Sequence, residues 1–559
     1  MISIISKLLF LFLFIVPLEA QITRYVSING NDQGNANTCT NEETPCRTIG
    51  QAINVATSGD IIEIGAGAYT ESLTINKSLS LYGAGEGITI IQSHEEPYVS
   101  TARVINISPG LDVAITGVTI RHGGTAAAVS LGGGINNNGS KLKLTDVTIT
   151  QNRSFGAGGG MATSNNSVDT LINVIFQGND SNYQAGGLMM LDNNNTTLID
   201  VIFSENSANS TGGAIYAAQN SRFSLVGVTF KENIAEEHGG GIINYSDYSP
   251  VINNVIFIGN SSSSGAGGGI YNESSSPVFT NVVFSGNHGV AGGGMYNTDG
   301  SAPVLTNVTF SGNSADGEGG GMYSFNSNPT IRNSIFWNNA DASGIGTPGA
   351  SVANLSSTVN IYYSMVQGCK PSGNWSWECG DENEGNLTDA DPLFNVMPDP
   401  GNTPTTVGDL RLQEESPVID AGDPDIDLSL FPGGPDNPVD LNNDPRVFNG
   451  RIDLGAYEYI DPTSVYEINE LPVTVALYQN YPNPFNPSTT ISYSLPEHAH
   501  IELIVFDMLG REVAVLVEGQ QMPGTYEIRF DAGHLASGIY LYRLRAGEVL
   551  RSGRMMLMR

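Results

Sequence analysis

The 559 residues carry a formal net charge of −33, with 23 Lys or Arg against 56 Asp or Glu. Such a surface repels phosphate backbones and anionic lipid, which sets nucleic acid aside as a partner and favours solubility and divalent cations. The 67 glycines follow no collagen period and 40% of the residues are hydrophobic, so a packed interior forms, disorder is excluded and glycine marks turns.

Lys7 precedes an apolar run over residues 8–17, and the small Ala20 follows where a signal peptidase would cut. Residues 1–20 are expected to be a signal peptide, leaving a mature chain from about Gln21 with no transmembrane segment. The apolar run is about half of the roughly 20 residues a membrane-spanning helix needs. From Val475 onward seven Arg stand against eight Asp or Glu, and Lys7 offsets Glu19, so the acidity belongs to residues 21–474. Cys39 with Cys46, and Cys369 with Cys379, make two close pairs. In an exported chain they read as local disulfides, worth about 2–3 kcal/mol each, placed as staples at the ends of a solenoid.

Thr44 and Pro45 suit an N-cap and first helical position, and Ile49, Ala52, Ile53 and Ala56 share one helical face before Gly59. This short helix is expected to cap the open end of the repeat. Short strands over 61–64, 73–75, 79–81 and 88–91 would be the first coils.

The middle of the chain repeats Phe-x-x-Asn. The pairs are Phe176 with Asn179, Phe203 with Asn206, Phe230 with Asn233, Phe257 with Asn260, Phe284 with Asn287, Phe310 with Asn313 and Phe336 with Asn339, spaced by 27, 27, 27, 27, 26 and 26 residues. Ile149 with Asn152 extends the series. Between them lie glycine stretches such as GGAIY from Gly212, GGGIY from Gly267 and GGGMY from Gly292 and Gly319. Alternation before each Phe, as in Val255 two residues before Phe257, marks a strand with one face buried. A coil of this length cannot bury its own apolar face, so coils must stack in register as a parallel β-helix. Phe and Val columns fill the inside, the Asn column turns a corner in left-handed backbone, and glycines turn another.

The stretch YVSINGND through RTIGQAINVATSGDIIEIGAGAYTESLTI and SLSLYGAG resembles the N-terminal cap of pectate-lyase-like β-helix proteins. The FxxN and GGAIY-type repeats are similar to those of the chlamydial polymorphic outer-membrane proteins, a family of surface adhesins. ADPLF, DLRLQEESPVIDAGD and DLNNDPRVFNGRIDLGAYEY resemble a tail module that follows β-helices in surface proteins with assorted anchors. LYQNYPNPFNPSTTISYSLPE through VFDMLGREVAVL, LASGIYLYRLRAGE and RSGRMMLMR resembles the type A sorting domain of type IX secretion substrates. The resemblances imply an all-β chain: a right-handed, pectin-lyase-like parallel β-helix with its cap over 21–370, a C-terminal cap or tail module over 371–460, a linker over 461–476 and a small β-sandwich over 477–559. They imply type IX secretion machinery as a partner and secretion to, or attachment at, the outer cell surface, by way of the periplasm. Too few strands are present in that last domain for an outer-membrane barrel of its own.

Catalytic sets are sparse. Asn297-Thr298-Asp299 matches the first motif of galacturonan hydrolases of this fold, but their paired aspartates, Gly-His-Gly and Arg-x-Lys are missing. Lys231 and Arg332 read as solvated charge, and His122 and His238 as turn residues. Asp440, Asn442 and Asp444 are the one candidate metal loop, fit either to hold Ca²⁺ or to form an Asx-turn on its own backbone. No other cofactor is expected. The outward row Ile175, Ile202, Thr229, Ile256, Val283, Thr309 and Ile335 is either an adhesive strip or a surface covered by a loop. The expected function is non-enzymatic adhesion or glycan binding, contacting polysaccharide or a neighbouring cell surface. The alternatives are a polysaccharide lyase or glycoside hydrolase, and a structural spacer.

Overall fold

A computed structural model describes residues 21–32, 38–245, 248–435, 437–461 and, with short gaps, 475–557. The expected signal peptide and residues 462–474 of the expected linker lie outside the described residues. The chain divides into two compact units, one ending at Asp461 and the other beginning at Pro462.

In the first unit each repeat closes one coil, and strands of successive coils pair in parallel. Phe257 lies between Phe230 and Phe284, with Val255 beside Val282. Among the described residues the coils build parallel sheets of 19 and 11 strands, and a third sheet of nine that is parallel up to its last strand. The seven Phe rings are fully buried. Their centroids are 4.3 to 5.1 Å apart and their planes within 11° of parallel. Each buried ring adds roughly 1.5–3 kcal/mol through lost apolar surface.

The Asn column runs beside the rings and is equally buried. Nδ2 of Asn233 donates to Oδ1 of Asn260 at 2.9 Å and to the Phe203 carbonyl at 2.9 Å. The backbone N–H of Asn233 donates to the same Oδ1 at 3.1 Å. Every donor and acceptor of the amide is thereby used, and the pattern holds along the column. A buried amide this well satisfied fixes register rather than destabilising the interior.

The left-handed backbone, however, belongs to other residues. Within the corner it falls on the residue before the Asn: Gly178, Glu205, Glu232, Gly259, Gly286, Gly312 and Asn338. A second left-handed position lies three residues before each Phe, at Asn173, Asp200, Gly227, Asn254, Asn281, Asn307 and Asn333, where the strand of the large sheet bends. The column Asn is thus free to aim its amide inward. At the glycine corner Gly239 has φ +66°, and a Cβ on Gly241 would stand 2.5 Å from the Gly269 carbonyl. One glycine serves the dihedral and the other the close approach.

At the N-terminal end the helix is Ile49–Val55, capped by Thr48, whose hydroxyl accepts from the Gln51 N–H at 3.2 Å. The N-cap is therefore not Thr44. Cys46 bridges to Val26 of the first coil, and Glu71 accepts from the N–H groups of Ile49 and Gly50 at 2.9 and 2.8 Å, so the helix starts where a distant carboxylate meets its free donors. Ile49, Ala52 and Ile53 are buried against the first coils. Both disulfides form, Cys39 with Cys46 and Cys369 with Cys379.

After the last coil, residues from about 388 to 461 return along the outside of the large sheet. Phe394, Leu410, Leu412, Val418, Leu454 and Ala456 form one apolar cluster with Val283 and Ile335 of the coils. The bend asparagines hold the backbone of this segment: Asn281 donates to the Val439 carbonyl at 2.7 Å, and Asn307 to the carbonyls of Asp453 and Gly455 at 2.8 and 3.0 Å. Most of this tail is therefore a lateral cover, not an end cap.

The second unit holds two antiparallel sheets. One contains Ala476–Leu477, Ser488–Leu495 and Gly524–Asp531, the other Ala499–Asp507, Glu512–Gln521, Gly538–Ala546 and Val549–Leu557. Ile491, Tyr493, Leu503, Tyr542, Leu544 and Met555 make their shared core. Tyr542 donates to the Tyr478 carbonyl at 2.9 Å and accepts from the Asn480 N–H at 3.0 Å, which ties the NYPNPF segment to the sheet.

Asn260→Ala strands the Asn233 amide donors and the Phe230 carbonyl inside the solenoid. At about 1–3 kcal/mol per unpaired group it is expected to destabilise the first unit by several kcal/mol. The exposed Asn442→Ala is expected to cost almost nothing. Thermal melting and limited proteolysis check this, and equal melting of the two variants contradicts the ladder's role.

Candidate functional site

Of the outward row on the large sheet, Val283, Thr309 and Ile335 are covered by the tail, with at most 3% exposure, and Ile256 packs against the same cluster. Ala456 N–H donates to the Thr309 hydroxyl at 3.0 Å. Ile202 remains 41% exposed, and Ile175 and Thr229 are partly exposed. The row is thus a docking face for the protein's own tail in its C-terminal half. Arg332 is part of that docking and not free solvated charge: it pairs with Asp423 of the tail and lies 4.9 Å over the Tyr362 ring.

The outer side of the second sheet lies apart from the apolar cluster of the tail and is built from the residue that ends each glycine motif; Tyr216, Tyr296 and Tyr323 are partly exposed there, while Ile243 and Tyr271 are buried among their neighbours. In register, Met189, Tyr216, Ile243, Tyr271, Tyr296, Tyr323 and Ala353 succeed one another. Tyr271, Tyr296 and Tyr323 stack at 5.1 Å spacing. Where Ile243 interrupts the column, Tyr245 stands across it, edge-on to both Tyr216 and Tyr271 at 5.8 Å. The His238 ring lies 4.7 Å from Tyr271, and the Tyr271 hydroxyl donates to Glu273 at 3.3 Å. Burial holds all five phenols above their ordinary pKa, so they remain protonated, and it holds His238 below its own. The result is a rigid line of neutral hydroxyl edges on an aromatic body.

The other candidates resolve into structural parts. Asp440 is buried: Oδ1 accepts from the N–H groups of Asn442 and Asp444 at 2.8 Å each, and Oδ2 from the Glu458 N–H at 2.8 Å. That is Asx-turn geometry, with the Asn442 side chain exposed and that of Asp444 partly so. Among the described residues no group of three His, Cys, Asp or Glu is arranged to hold a metal ion. Nearby, the Arg446 guanidinium is wholly buried 3.6 Å from Glu458 and donates to the Gly455 carbonyl, while burial raises the carboxyls of Glu458 and Asp453. Asn297 faces inward and accepts from Asn272 at 3.0 Å, whereas Asp299 is exposed at a left-handed turn, so the tripeptide forms no carboxylate site. Lys231 pairs with its neighbour Glu232 at 3.6 Å, and His122 lies between the His94 carbonyl and Gln151.

One buried acid escaped the sequence. Asp169 takes the inward position held by Leu142 one coil earlier, and it accepts from Thr163 at 2.5 Å and Asn137 at 2.7 Å. Burial pushes its carboxyl up to about 6 against these hydrogen bonds. An acid raised in the fold contributes its full stability only below its unfolded pKa near 3.8 and loses it as pH rises through about 6. Between about pH 4 and about pH 7 the wild-type melting temperature is expected to fall more steeply than that of Asp169→Asn. Parallel curves would contradict the raised carboxyl.

With this geometry in place, the likenesses to known proteins take their positions. Residues 214–386 match the right handed beta helix region, 200–218 the Chlamydia polymorphic membrane protein repeat, and 479–557 the secretion system C-terminal sorting domain. The sorting domain implies export through type IX secretion machinery. Similar solved structures include pectate lyase Pel9A, with 15% identity, 78% of this chain and 96% of that chain covered and a TM-score of 0.37. XylC in complex with xylose gives 10%, 67%, 87% and 0.34, and a rhamnogalacturonan lyase 12%, 70%, 97% and 0.33. Among curated proteins none matches. The chain joins a right-handed β-helix region to a C-terminal sorting domain of the kind that directs type IX secretion.

Proposed function

We propose that the exported β-helix contacts glycan at the cell surface, in adhesion, through the outer face of its second sheet. The tyrosine ladder from Tyr216 to Tyr323 is the observation that carries this reading. Rings already locked against one another lose little conformational freedom on binding, and tyrosine combines an apolar body with a hydroxyl that both donates and accepts. One phenol edge per coil suits a polymer lying along the solenoid. The coil spacing of about 4.8 Å is comparable with one sugar unit of an extended chain. Contact with a polymer repeats the same weak contact many times, which suits adhesion better than turnover.

Binding of the full chain to a panel of immobilised polysaccharides tests this. Tyr296→Phe, which keeps the ring and removes the hydroxyl, is expected to weaken binding several-fold, and Tyr296→Ala more. Binding to no glycan in the panel, or the appearance of new reducing or unsaturated ends in the polysaccharide, contradicts it.

Display depends on the second unit. A chain cut before Leu477 is expected to keep a folded β-helix, because solenoid coils are stabilised by their neighbours, and to stay in the periplasm of its host. Fractionation with surface proteolysis reads the outcome. The truncated protein found outside the cell would contradict export by this domain.

A further inference from the structure

The tyrosine ladder ends in a cleft. Beyond Tyr323 the register position is taken by Ala353, whose small side chain leaves a hollow of about 480 Å³ lined by Glu318, Asp341, Asn354, Trp377 and Glu378. Trp377 is 84% exposed, an unfavourable state for the largest apolar ring. It is held there by construction. The turn Trp377–Cys379 is pinned by the Cys369–Cys379 disulfide, Ser376 accepts from the Glu378 N–H at 3.4 Å, and Asn354 donates to the Glu378 carbonyl at 3.5 Å.

We infer that this cleft seats a pyranose unit that bears no carboxylate, at the end of the glycan lying on the ladder. A pyranose offers an apolar C–H face and a rim of hydroxyls. The Trp377 ring matches the first, and the carboxylates of Glu318, Asp341 and Glu378 accept from the second. No Lys, Arg or His lines the cleft. A uronate placed there would meet three carboxylates with no Lys, Arg or His beside them, and like charges at short range repel. The cleft therefore selects against pectin-like acidic chains. This inference deepens the glycan reading above and rests on it.

The test uses the full chain with purified uncharged gluco-, manno- and xylo-oligosaccharides and with oligogalacturonate, following tryptophan fluorescence and calorimetry, and thermal melting to confirm folding. At least one uncharged series is expected to bind more tightly than oligogalacturonate. Trp377→Ala is expected to weaken it about tenfold, a large effect for one aromatic contact. Disaccharides should be lost with Trp377→Ala and kept with Tyr296→Ala. Uncharged sugars that bind equally well to folded Trp377→Ala overturn the cleft and leave the ladder standing. Preference for oligogalacturonate overturns the charge selection. Absence of binding by any glycan overturns both readings.

Discussion

The buried asparagine ladder is the constraint on which the molecule depends. Each amide from Asn152 to Asn313 needs its counterpart one coil on, so successive coils must bring the same position to the same place. An unpaired amide inside the solenoid costs about 1–3 kcal/mol, and a slip would leave every amide of the column unpaired at once, so register slips are suppressed. Everything at a fixed offset from the Asn then stacks as well. The phenylalanines become a column, the glycines an edge, and the residue ending each glycine motif becomes the outward line of tyrosines. The outward line of tyrosines is a consequence of the interior lock.

The same register explains how the two outer faces differ. Asn254, Asn281, Asn307 and Asn333 stand where the large sheet bends, and their amides hold the backbone of the returning tail. In the earlier coils the same position is Asp146, Asn173, Asp200 and Gly227, and no described part of the tail reaches it. The tail consumes the apolar row over the last coils and adds an apolar cluster of its own. The second sheet keeps most of its tyrosines partly exposed, in a chain whose net charge of −33 disfavours acidic partners.

The period of Phe-x-x-Asn made the coil legible, because each unit repeats the same burial problem. The inward Phe column followed from alternation, and a stacked Asn corner from the period. Left-handed backbone at the Asn did not hold, since the residue before it takes that strain and frees the amide to point inward. Thr44 yielded to Thr48 because Glu71, distant in sequence, supplies the first-turn acceptors. Arg332 lost its solvated role to Asp423, ninety-one residues away. The tyrosines were visible in GGAIY, GGGIY and GGGMY, yet a strand motif does not state which face another segment will leave bare. Trp377 carried no pattern at all: its exposure is set by a disulfide and a turn. In the second unit the alternation of Glu512–Gln521 and Val549–Leu557 is blurred by consecutive polar or consecutive apolar residues, so these strands are not legible from sequence.

On the proposed function, the outer face of the second sheet, from the tyrosine ladder to Trp377, is the surface that meets glycan. Hydroxyl-radical footprinting of the full chain, with and without a bound oligosaccharide, reads those side chains directly. Oxidation of Tyr296, Tyr323 and Trp377 is expected to fall on binding, while Tyr82 and Tyr183, exposed elsewhere at 42% and 48%, stay unchanged. Protection that appears at Tyr82 or Tyr183, with the ladder and Trp377 oxidised as before, would contradict it.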